Sequence, residues 1–253
     1  MHINTFSIVA RCQKTGQLGV SVSTAVPAVG SMCPYLRAGI GAVSTQSWVN
    51  PYLAMTVLVR LSEGLAAEQA LSAALDDDKN RDLRQIGVVD ASGRAVSWTG
   101  SGCVDWKGHL IGSGYAVQGN MLKGEATLEA MASAFEQSDD GPLDERLMRA
   151  LEAGESAGGD MRGKQSAAIQ IVELEDYALF DLRVDEHSEP IKELRRVLEV
   201  SRLQLLPFVA NMPTKEGDRQ LPEETADMLL KPPAERPGGA SSQSRTEDEG
   251  RLK

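Results

Sequence analysis

The chain has 253 residues, 42% of them hydrophobic and 25% charged, with a formal net charge of −10. That length supports one large or two small domains with a full core, and the acidic balance excludes non-specific nucleic-acid binding, which needs a basic footprint. No apolar run reaches the ~18 residues of a membrane span, the N-terminus lacks a charged-then-apolar signal region, and Cys12, Cys33 and Cys103 form neither a zinc motif nor an even disulfide set. A cytoplasmic protein with no membrane partner is expected.

Thr5-Phe6-Ser7-Ile8-Val9-Ala10 alternates as a β-strand does, turns through Gln13 to Gln17, and resumes as Leu18 to Thr24. The Pro27-to-Gly30 stretch reads as a loop, and Gly39 to Gln46 as a third strand. Asn50-Pro51 starts a helix, because proline is tolerated in the first turn. Leu53, Val57, Leu58 and Leu61 share its apolar face, and Leu71, Ala74 and Leu75 mark a second helix. Gln85 to Asp90 and Arg94 to Thr99 form a hairpin about Ala91-Ser92-Gly93, and Tyr115 to Asn120 is a short strand. Two more helices carry Leu128, Met131 and Phe135, then Leu143, Leu147 and Leu151. A Gly-rich loop over 154–163 leads to strands at 166–172 and 178–184 and a helix with Ile191, Leu194, Val197 and Leu198.

Hairpin-linked strands with helices in pairs predict an α+β fold, with two packed sheets covered by helices on both outer faces. The domain is expected over residues 1–205. Residues 206–253 read as a mostly disordered tail, with Pro/Gly/Ser punctuation beyond Asn211 and one helical turn near Met228-Leu229-Leu230.

A hairpin that opens on Thr near the chain start is how an N-terminal-nucleophile fold begins. There the α-amine of the Thr can accept the proton of its own hydroxyl. Thr5 is the leading nucleophile, on condition that the chain is cut between Asn4 and Thr5. Ser44, Thr45 and Gln46 end the third strand, which makes Thr45 a second hydroxyl candidate and lets Gln46 line the same mouth. Gln118 and Asn120 offer amide donors for an oxyanion or a substrate carboxylate. His109 reads as a loop residue. Asp185 and His187 give a weak metal signal without a third ligand, so no metal is expected. Trp48, Trp98 and Trp106 accompany no dinucleotide or phosphate-loop motif, so no cofactor is expected.

Five blocks, Thr5 to Ala10, Gly41 to Gln46, Tyr115 to Leu122, Gly158 to Ala168 and Asp181 to His187, resemble in order a bacterial family catalogued as a domain of unknown function. The resemblance covers about residues 5–205 and implies a four-layer αββα sandwich like that of the N-terminal-nucleophile (Ntn) hydrolases. Some members resemble enzymes that hydrolytically deaminate 2-aminomuconate in nitroaromatic degradation. That would make the chain a hydrolase of a non-peptide C–N bond in a small anionic metabolite, and a homo-oligomer. Such chemistry needs a general acid/base and cationic clamps, not a free α-amine. Arg37, Arg162 and Lys164 are the candidate carboxylate clamps. Arg162 leads because Gly158, Gly159 and Gly163 let its loop approach a ligand. Asp160 would be the acid/base, or would orient Arg162. A self-processed Thr-dependent amidohydrolase, and a non-catalytic ligand-binding or assembly protein, remain open alternatives.

Overall fold

A computed structural model describes residues 5–239. The chain divides into two compact units, at residue 194. The first contains ten strands in two antiparallel sheets. One sheet has the order β10-β9-β2-β1-β8-β7, and the other β3-β4-β5-β6. The strands are β1 (Thr5–Arg11), β2 (Leu18–Thr24), β3 (Pro34–Arg37), β4 (Gly41–Ser47), β5 (Arg84–Asp90), β6 (Ala95–Thr99), β7 (Gly108–Gly112), β8 (Tyr115–Asn120), β9 (Ser166–Val172) and β10 (Phe180–Val184).

Strand alternation sorts each sheet into two faces. In the larger sheet Val9 and Val20 turn toward Ala42 and Val89 of the smaller one, forming an apolar layer between the sheets. Phe6, Ile8 and Ala10 point the other way. Helices α3 (Ala126–Gln137) and α4 (Leu143–Ser156) pack together on that side, against β1, β2, β8 and β9. In the smaller sheet Val43, Ile86 and Val88 meet Leu53, Val57, Leu71 and Ala74 of helices α1 (Pro51–Ser62) and α2 (Ala67–Asp76). The Asn50 side chain caps α1 by accepting from Tyr52 N at 3.1 Å, which satisfies one of the orphan donors of the first turn.

Two short strands depart from the expectation. β3 lies where no element is expected, and β7 places His109 in a strand rather than a loop. Both are sheet edges of four and five residues, half-buried, and so lack the buried alternation that marks a central strand. Helix α5 (Pro190–Gln204) follows β10. The second unit carries α6 (Leu206–Val209) and α7 (Glu223–Leu230). Helix α7 is eight residues long, where a single turn near Met228 is expected. Leu205, Phe208 and Leu229 line an apolar groove of about 340 Å³ within this unit. The rest of the expected tail, 240–253, and His2 lie outside the described residues.

Candidate functional site

Asn120, Thr5, Thr24 and Ser166 are register neighbours across β8, β1, β2 and β9. They therefore share one face of the larger sheet, the face turned toward the smaller sheet. All four are buried. Thr5 Oγ1 donates to Thr24 Oγ1 at 3.3 Å, and Ser166 Oγ donates to Val26 O at 2.6 Å.

Beside this row, amide side chains from both sheets interlock. Ser7 Oγ donates to Gln46 Oε1 at 2.6 Å, and Gln118 Nε2 donates to Ser7 Oγ at 2.6 Å. Gln46 Nε2 donates to Gln85 Oε1 at 2.8 Å and to Thr5 O at 3.2 Å. Gln85 Nε2 reaches Gly119 O at 2.7 Å, and Asn120 Nδ2 donates to Gln85 Oε1 at 2.9 Å. Gln46, Gln85 and Gln118 are 0% exposed. The three amides expected to greet a substrate, Gln46, Gln118 and Asn120, are thus brought together, but they turn to one another. Gln118 Oε1 has no hydrogen-bond partner among the described residues and lies over Gly87, where a Cβ would come within 2.1 Å of it. Glycine here is what allows the close approach.

Thr45 is not part of this cluster. It pairs with Ile86, a member of the core under α1 and α2, so it shares that face and points away from Gln46. Arg37 is also apart. It is exposed and pairs with Gly41, five residues from Gln46 along β4, or about 17 Å at ~3.3 Å per residue.

The other candidates gather on the opposite face of the larger sheet, at the same end. A cavity of about 460 Å³ opens there. Phe6 and Ser23, cross-strand neighbours, form its floor. Gly158, Gly159 and Gly163 form one rim, at φ 127°, 56° and 109°, a left-handed region that L side chains rarely adopt. The charged lining is Glu155, Asp160, Lys123, Arg162 and Lys164.

Asp160 is the organiser of this loop. Its side chain is 1% exposed. Its Oδ1 accepts from Arg162 N at 2.9 Å, and its Oδ2 from Ala25 N at 3.2 Å and Arg162 Nη2 at 3.3 Å. An isolated bridge joins its backbone to Leu122. The carboxylate thereby fixes the end of β2 and the Arg162 side chain, while the backbone bridge ties in the segment after β8, which suits orienting Arg162 more than exchanging protons. Lys164 sits between Glu155 Oε1, at 3.2 Å, and Glu189. The hydrogen bond to Glu189, aided by Glu155, raises its pKa.

Phe6, Ser23, Lys123 and Glu155 are not legible in the sequence as site residues. Glu155 carries a weak signal, a carboxylate in the last turn of a helix running into a Gly-rich loop. Lys123 carries none. No group of three or more potential metal ligands occurs among the described residues. His187 Nδ1 accepts from Glu189 N at 2.9 Å, and His109 Nδ1 lies 2.9 Å from Thr99 Oγ1, with burial lowering its pKa.

A sequence family described as a family of unknown function, DUF1028, matches residues 5–194. The crystal structure of protein SPO2555 from Silicibacter pomeroyi, assigned to the same family, is 29% identical over 87% of this chain and 96% of that one, with a TM-score of 0.80. Anbu (ancestral beta-subunit) from Yersinia bercovieri is 14% identical over 82% of this chain and 98% of its own, with a TM-score of 0.38. Anbu from Hyphomicrobium sp. strain MC1 is 10% identical over 79% and 96%, also at 0.38. Likeness at that level carries no argument about this chain. No curated protein matches it.

Proposed function

The chain belongs to the DUF1028 family, of unknown function, and from that premise we propose that it is a hydrolase of a non-peptide C–N bond in a small anionic metabolite. The finer form of this reading is deamination of a 2-aminomuconate-type compound on a four-layer αββα, Ntn-hydrolase-like scaffold. Helix pairs against each sheet support the scaffold. The observation that carries the site is the Phe6 cavity, where three cations stand around an aromatic floor and two carboxylates.

In this reading Arg162 clamps a substrate carboxylate, since a guanidinium binds one bidentately. Asp160 holds Arg162 in place. Glu155, partnered by Lys164, moves protons. It takes a proton from the enamine nitrogen and delivers it to carbon, giving the imine, then takes one from the water that adds at the imine carbon and passes it to the nitrogen. It next carries the hydroxyl proton of the carbinolamine to the nitrogen, and the C–N bond breaks as ammonia leaves and the oxygen becomes a carbonyl. Water supplies the oxygen and no redox partner is required. Ammonia release from 2-aminomuconate by the purified full chain tests the proposal; no release above the uncatalysed rate would sink it.

A second reading has a specific observation behind it. Thr5 heads a central strand with its hydroxyl against that of Thr24, the place a self-processed nucleophile would occupy. It requires cleavage before Thr5. Intact mass separates the two, because only this reading yields a chain starting at Thr5.

A further inference from the structure

The cations of the Phe6 cavity are unequally engaged. Arg162 is tied to Asp160, and Lys164 to Glu155 and Glu189. Lys123 has no ion-pair partner among the described residues. Its stem is nevertheless held. A Cβ built on Gly158 would lie 3.0 Å from Lys123 Cδ and 3.2 Å from its Cβ, so the stem lies across the bare Cα of that glycine. Lys123 N also donates to Gly159 O at 3.3 Å. Lys123 is an exposed residue of the cavity lining, and contact along its stem narrows the directions its ammonium can take, which lowers the ordering cost of a ligand contact.

Resting on the hydrolase reading above, we propose that Lys123 anchors a second carboxylate of the ligand. The cavity then takes a linear dicarboxylate, one end on Arg162, the other on Lys123, with its carbon chain over the Phe6 ring. Asp160 has Arg162, and Lys164 is shared by Glu155 and Glu189, so Lys123 is the lining cation that answers to an anion. Phe6 supplies the apolar surface between the two ends. Gly158 becomes a positioning residue, because any side chain there displaces the lysine stem.

Two probes isolate the second carboxylate: hexa-2,4-dienedioate and hexa-2,4-dienoate, the same six-carbon diene with two carboxylates or one. Titration calorimetry on the full chain should show the diacid binding more tightly by roughly ten- to a hundredfold, the usual worth of one charge-assisted hydrogen bond. Lys123→Met keeps the stem and removes the charge. It should erase that margin, leave binding of the monoacid as it was, and leave the melting temperature unchanged. Lys123→Arg should keep the margin. Gly158→Ala should shrink it. The inference is overturned if the wild type shows no margin, or if the margin survives in Lys123→Met. Ammonia release with a margin indifferent to Lys123 would overturn this inference alone. Binding of neither probe, with no ammonia release, would overturn the hydrolase reading and this inference with it.

Discussion

Gln46 Nε2, in the smaller sheet, donates to the backbone carbonyl of Thr5 in the larger one, at 3.2 Å. The start of β1 is therefore held from across the sheet interface, by a contact independent of the Thr5 side chain. The same amide accepts from Ser7 and donates to Gln85. Replacing Gln46 with Leu would take from the Ser7 hydroxyl its acceptor and from Gln85 Oε1 one of its two donors, and each buried group left unsatisfied costs about 1–3 kcal/mol. Gln46→Leu should therefore lower unfolding free energy by roughly 2–5 kcal/mol. Urea titration measures it; a change under about 0.5 kcal/mol, the scale of ordinary surface substitutions, would show that the network adds little.

Thr5→Ala separates the mechanisms. With Glu155 and Arg162 on the far face of the sheet, ammonia release should persist within about tenfold, and the wild-type chain should keep the residues before Thr5. Loss of all activity together with a wild-type mass starting at Thr5 would transfer the chemistry to the inter-sheet row.

Arg162→Ala should raise KM by roughly ten- to a hundredfold, from loss of a charge-assisted pair worth about 1.5–3 kcal/mol. Arg162→Lys should recover only part of this, because an ammonium lacks the planar fork. Asp160→Asn should resemble Arg162→Ala in KM and leave the pH profile of kcat in place, as expected of a residue that orients Arg162. A shifted pH profile would instead make Asp160 the acid/base.

Much of this was legible in the sequence, for identifiable reasons. β1, β2, β5 and β9 are buried central strands carrying Val and Ile, and Asn50-Pro51 announces α1 by capping chemistry. β3 and β7 are short edges, so their pattern is diluted. Asp160 and Arg162 stand out in the sequence because the glycines around them are local to them. Lys123 reaches the cavity only through the tertiary course of the chain after β8, which no spacing reveals. Gln118 and Asn120 read as strand-end amides, and Gln46 as the end of another strand. Their neighbours are one another because the sheets meet face to face, and one strand's periodicity does not say what lies opposite.

Asp78 and Arg84 predict the acid response of the fold. Arg84 Nε donates to Asp78 Oδ2 at 2.7 Å, both side chains nearly buried. This hydrogen bond holds the Asp78 pKa down, from 3.8 to about 2. A lowered folded-state pKa stabilises above the unfolded value and is lost as pH falls through the folded one. The contribution, on the order of 2 kcal/mol, should be complete above about pH 4 and fade toward pH 2. Urea midpoints of wild type and Asp78→Asn should converge over that window. Parallel curves would show that the pair does not control acid stability.

The strand order of the larger sheet has a consequence for biosynthesis. β1 and β2 are central, yet β8 ends only at residue 120 and β9 at residue 172. The first hairpin made thus waits for its β8 partner until residue 120 and for its β9 partner until residue 172. At ~5–20 residues per second, that wait is on the order of ten seconds. During it the apolar alternation of β1 and β2 is a template for any other strand nearby, so yield of native protein should depend on what shelters the nascent hairpin at the ribosome exit.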